Sequence, residues 1–210
     1  MLADVRTVDI EQSLALIEDW LNNYICQQNP QIGRPGVVCP FVGPSRRAGA
    51  LEVRVRLVGP TPSLSLMIET ARCGIEEFGL IAWKCSNPGL RALIIVLPDL
   101  PTDSLGLLDE AHAAVKPECV QRGMMIGQFH ERCTEKAARN PLFNVSRSPV
   151  PLLAMRSMAI HDVFFLSERK EWLMTYVDRF GRYYRNTPNG LDPILTNLYW
   201  EACARHGIRG

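Results

Sequence analysis

The stretch Gly123–Asp162 reads GMMIGQFHERCTEKAARNPLFNVSRSPVPLLAMRSMAIHD. An apolar run, Met124-Met125-Ile126-Gly127-Gln128-Phe129, ends at His130. A polar link follows, then Asn140-Pro141-Leu142-Phe143-Asn144 and Ser148-Pro149. A second apolar run from Leu152 to Ile160 is interrupted by Arg156 and ended by His161-Asp162. Short apolar runs bounded by turn residues read as buried strands. Two strands would thus carry two histidines, an asparagine and an arginine toward one place.

Working outward, Ile10, Leu14, Ile17, Leu21 and Tyr24 recur at helical spacing, which predicts an amphipathic helix over 9–27, ended by Asn29-Pro30. Leu51, Val53, Val55 and Leu57 alternate with Glu52, Arg54 and Arg56, as in a strand with one wet face. Thr61-Pro62 reads as a cap opening a helix that runs to Gly79. Arg91–Leu97 (RALIIVL) is a continuous apolar strand, expected to be covered on both faces. Thr102-Asp103 opens a helix that Lys116-Pro117 should end. Ser167 is read as the cap of the next helix, and Asp192-Pro193 opens the last, followed by Gly207. The order predicts a single α+β domain over 1–210, with a mixed sheet of about four or more strands covered by helices. The N-terminal helix falls within 1–30. The C-terminal helical pair, within 167–207, belongs to the same domain and offers a surface for a homodimer.

The 210 residues are 47% hydrophobic and 21% charged with net charge +1, which supplies no field for nucleic acid or an anionic membrane. No apolar run reaches the roughly 20 residues that span a bilayer. Seven scattered cysteines without a CxxC pair, and an N-terminus without a basic and apolar leader, point to a cytoplasmic location and a reducing compartment.

His130 at a strand end can ligate a metal or act as a base. Arg156 inside an apolar strand needs an anion: Asp162, or a carboxylated ligand. Arg147 carries a weaker form of the same argument. Gly33-Arg34-Pro35-Gly36-Val37-Val38-Cys39-Pro40-Phe41 is a stiffened loop fit for a site wall, with Arg34 able to reach an anion and Cys39 presented as a small apolar group or a thiol. His130-Glu131-Arg132-Cys133 with His161-Asp162 contains metal-ligand residue types without a recognised zinc spacing. His112 reads as a core histidine, and Arg179, Arg182 and Arg185 as a solvated helix face.

As a set, Gly33–Gly36, Val38–Phe41, Met125–His130, Ser148–Pro151, Ile160–Asp162 and Phe165-Leu166 resemble a family of uncharacterised bacterial proteins often found near natural-product pathways. Cys39, His130, Phe143-Asn144 and Arg156 more distantly resemble the YqcI/YcgG family of haem-dependent N-oxygenases, although Glu131 stands where that pattern has proline. The resemblance implies haem b on His130 as axial metal ligand, with Arg156 and Arg34 on propionates or a substrate carboxylate. Cys39, Phe41, Asn144, Arg147, His161 and Asp162 would then form the wall around a small-molecule substrate, an amine or guanidine to be N-oxygenated. Two other readings stand beside this one: a non-catalytic small-molecule-binding or scaffold protein of a biosynthetic cluster, and a non-haem metal enzyme using His130 and His161.

Overall fold

The computed structural model describes residues 9–186 and 190–209. It contains α1 (Ile10–Trp20), α2 (Val42–Arg47), β1 (Leu51–Val55), α3 (Leu64–Leu80), β2 (Ala92–Val96) and α4 (Leu105–Gln121). There follow β3 (Met124–Phe129), β4 (Lys136–Ala137), β5 (Asn140–Asn144), β6 (Leu152–Ser157), α5 (Val163–Leu166), α6 (Lys170–Asn186) and α7 (Pro193–His206). A four-stranded mixed sheet has the order β1-β2-β6-β3, and β4 and β5 make a separate two-stranded ribbon. This is the mixed α/β architecture with C-terminal helices that the sequence implies. Among the described residues no helix is long and apolar enough to cross a membrane.

Two compact units are distinguishable: one takes in the described residues to Val115 with Ile126–Arg156, the other Lys116–Met125 with the described residues from Ser157 onward. In the first, β2 is parallel to β1 and antiparallel to β6, with Ile94 opposite Val53 and Ala154. All five β2 residues are buried. On one face Ile94, Val96, Leu152 and Ala154 pack with Ile17, Trp20, Leu21 and Ile25 from the N-terminal helix. On the other, α3 comes so close that a Cβ at Gly74 would meet Ile95 and Met155. Glycine is therefore what permits that approach. The cap of α3 is Ser63, whose side chain accepts from the Leu66 N–H, rather than Thr61.

After Trp20 the helix widens into one π-type turn, and the Cys26 N–H reaches back to the Leu21 carbonyl at 2.9 Å. The chain then loops out and returns. Gln28 bridges Val37, the Val38 N–H donates to Gln27 O at 2.9 Å, and the Cys39 N–H donates to Ile25 O at 3.0 Å. Gly33, at φ 77, sits against the backbone of Arg139, and Asn140 Nδ2 donates to Gln31 O at 2.7 Å, so the loop is seated on the β4–β5 ribbon.

The helix expected to end at Lys116-Pro117 instead continues to Gln121. Proline removes one N–H and clashes one turn back, at a cost of about 3 kcal/mol. Cys119 and Val120, both fully buried just beyond it, offset that cost by filling the core. Ser167 closes α5 rather than opening α6. The β4–β5 ribbon was not foreseen, because Asn140-Pro141 reads as a loop.

The second unit is built on α6 and α7. Asp192 accepts from the Ile194 N–H and Gly207, at φ 63, terminates α7, as the sequence predicts. Leu173, Tyr176, Val177, Tyr184, Leu195, Tyr199 and Cys203 form its core. Tyr184 and Tyr199 stack at 3.8 Å, and the Tyr176 hydroxyl donates to Ile160 O and lies 2.6 Å from that of Tyr184. Arg179, Arg182 and Arg185 are exposed, as a solvated helix face implies, and the Arg179 guanidinium lies where a Cβ on Gly123 would be.

Two outcomes follow from this packing. Burial pushes Tyr176, Tyr184 and Tyr199 above the usual phenol range and Cys119 up to about 12. The folded state therefore retains these protons when the unfolded chain has lost them, so their contribution is complete below about pH 9 and is lost as pH rises toward 12. Thermal midpoints measured against pH should be level up to about pH 9 and fall by several degrees above it. A stability that rose through that window would contradict the packing. Gly33→Ala should cost about 1–3 kcal/mol in chemical unfolding, because alanine is strained at φ 77 and its methyl would strike the Arg139 carbonyl. An unchanged midpoint would mean the loop is not seated there.

Candidate metal centre

Residue Phe129 ends β3 by turning its ring onto Trp20, edge to face at 5.6 Å. His130, one residue later and just past the end of the strand, is 2% exposed. The chain then makes a tight turn in which the Cys133 N–H donates to His130 O at 3.1 Å. A turn of that size places side chains three residues apart side by side, so Cys133, also buried, lies beside His130. Helix α4 supplies the third group: Asp109 Oδ1 is 3.1 Å from His130 Nε2. One donor atom from each of Asp109, His130 and Cys133 lies within 4.8 Å of the others.

The imidazole is not satisfied by these contacts. Its Nδ1 is buried and has no hydrogen-bond partner. A carboxylate accepts, so a hydrogen on Nε2 leaves a lone pair on Nδ1 with nothing to meet. A hydrogen on Nδ1 is an unpaired buried donor, and it leaves two lone pairs facing each other at 3.1 Å. Protonating both nitrogens still strands the Nδ1 hydrogen. Each state leaves a buried polar atom unpaired, which costs about 1–3 kcal/mol. The three donors converge closely enough to hold one cation, with Nε2, the nitrogen beside Asp109, as the imidazole ligand. Burial pushes the Cys133 thiol up, and the Asp109 charge adds to this, while a backbone hydrogen bond at Glu135 and the Arg147 charge pull it down. Asp109 is the half-exposed member and opens the cluster to solvent.

The remaining sequence-selected residues have other partners. Leu152 and Ala154 face the α1 cluster, and Arg156 follows them by the two-residue period of β6. Its guanidinium lies 4.1 Å over the Phe41 ring. His130 and Arg156 thus have different neighbours, Asp109 for the first and the Phe41 ring for the second. Arg34 donates to the carbonyls of Pro35 and Val38. Cys39 packs at the edge of the α1 cluster, and Asn144 accepts from Lys136 Nζ at 2.5 Å. At Arg147 the backbone carbonyl accepts from Trp20 Nε1 at 2.9 Å. His161 and Asp162 belong to the second unit, where Asp162 Oδ2 accepts the Ala159 N–H at 2.7 Å. His112 Nε2 lies 3.2 Å from Ile126 O, the bonded core histidine that its stripe position implies.

His130 is 2% exposed and its Nε2 lies 3.1 Å from Asp109 Oδ1, so a haem on this ring would have to displace Asp109 and open the packing around it. Asp109 is the functional residue that sequence reading missed. The signal was its place on α4 beside Leu105 and Leu108, where a carboxylate borders the buried stripe.

The model of a domain of unknown function, DUF6875, matches residues 14–189. The chain belongs to the DUF6875 family. No curated protein and no solved structure matches it. The match covers α1 through α6, and so includes Asp109, His130 and Cys133.

The burial of Cys133 gives a direct check. In the native protein without added metal, alkylation of Cys133 should run about 100-fold slower than that of exposed Cys73, because burial denies the reagent access. Peptide mapping after timed alkylation measures this. Equal rates would place Cys133 at the surface and dissolve the cluster.

Proposed function

We propose that this DUF6875 chain is a metal-binding protein, with a single transition-metal ion held by the Asp109 carboxylate, the His130 imidazole and the Cys133 thiolate. The observation that carries the reading is the convergence of an imidazole nitrogen, a carboxylate oxygen and a buried thiol within 4.8 Å of one another. Nitrogen, thiolate and carboxylate together suit zinc among the common metals. Three protein ligands leave a fourth position, on the side where Asp109 is half exposed. An ion held this way acts as a Lewis acid toward water or a substrate oxygen. The chemistry supported is thus metal-assisted hydrolysis or a related polar reaction of a small substrate. Haem-dependent N-oxygenation keeps only the distant resemblance behind it.

The purified protein should take up one equivalent of zinc in a competition titration with a chromophoric chelator. Cobalt in its place should give the intense thiolate-to-metal absorption band. His130→Ala and Cys133→Ser should each weaken uptake at least 100-fold, and Asp109→Asn about 10-fold, in line with losing a ligand or its support. Affinity should fall steeply as pH falls, because protons compete for a thiol held above its usual range. A metal-free protein under these conditions, or a stoichiometric Soret band on titration with hemin, would overturn the reading.

A further inference from the structure

Two more cysteines meet in the fold without adjoining in the sequence. Cys26 ends the widened turn after α1, and Cys39 stands where the 27–38 loop returns. The Gln28–Val37 bridge and the two hydrogen bonds Val38 N–H to Gln27 O and Cys39 N–H to Ile25 O pin the base of that loop. Cys26 and Cys39 stand opposite one another beside these contacts, the placement from which a disulfide, spanning roughly 4.4–6.8 Å between α-carbons, can form. Both side chains pack against the same α1 cluster, so they lie on one side of the loop's base. Both thiols are free and half-buried, which lets a small reagent reach them.

We propose that Cys26 and Cys39 are a reversible redox pair, forming an intramolecular disulfide that locks the 27–38 loop when a low-molecular-weight disulfide is present. One cysteine thiolate attacks a sulfur of that disulfide and releases a small thiol. The other cysteine then attacks the mixed disulfide and releases the second. One S–S bond breaks and one forms. The protein gives up two electrons and two protons, and the small disulfide takes them up as two thiols.

The surroundings support the chemistry. Burial raises the Cys26 thiol, and a neighbouring charge on Cys39 adds to this, as between two thiols in electrostatic reach. Arg46 and Arg47 act in the opposite sense and favour the thiolate. The loop so closed carries a shallow cleft of about 300 Å³ lined by Gln28, Asn29, Pro30, Arg34, Pro35 and Gly36. Oxidation would fix the base of that cleft. This inference is independent of the metal site, which uses neither cysteine.

The test is equilibration of the full chain with glutathione buffers from fully reduced to fully oxidised, acid quenching, alkylation and peptide mapping. The expected result is a Cys26–Cys39 cross-linked peptide that appears cooperatively with oxidant and disappears with dithiothreitol. It should be absent from both Cys26→Ser and Cys39→Ser. Amide exchange in 27–38 should slow several-fold in the oxidised wild-type protein. Glutathione left on each cysteine separately, a cross-link between other cysteines, or no change up to pure oxidised glutathione would each overturn the proposal. The wild-type map decides the matter even if a variant fails to fold.

Discussion

The first unit depends on a strand with no wet face. Every residue of β2 is buried, so both sides of the sheet centre must be covered. The α1 cluster covers one side, and α3, brought close by Gly74, covers the other. Once both are in place, the alternation of side chains along β3 and β6 is fixed. Phe129 then faces Trp20, and His130 follows directly past the end of β3, which ties the candidate metal centre to the strand.

Distance along the chain explains where sequence reading succeeded and where it failed. The patterns of Ile10–Tyr24 and Arg91–Leu97, and the caps Asp192 and Gly207, appear in the structure because each is a local signal acting over one or two turns. Pro117 misled, because the burial of Cys119 and Val120 outweighs a local penalty. His130 and Arg156 each look reactive alone, but their partners, Asp109 and the Phe41 ring, come from distant segments that sequence spacing does not pair. Asp109 was invisible as a ligand, since 21 residues of chain separate it from His130. The Cys26–Cys39 juxtaposition was likewise hidden, because only a folded loop brings residues of unlike spacing together.

The two cysteine settings divide by burial. Cys133 is sealed behind the β3 turn, where a thiolate is costly without a cation. Cys26 and Cys39 sit at a loop base within reach of small reagents. Sulfur is thus placed both in a buried cluster beside Asp109 and at an accessible loop base.

Central to this account is that one ion would sit among Asp109, His130 and Cys133. X-ray absorption at the metal edge of the zinc-loaded protein tests that arrangement directly. The account predicts a first shell with one sulfur at about 2.3 Å and nitrogen or oxygen ligands at about 2.0–2.1 Å, the sulfur vanishing in Cys133→Ser. A shell of nitrogen and oxygen alone, or one unaltered by Cys133→Ser, would contradict it.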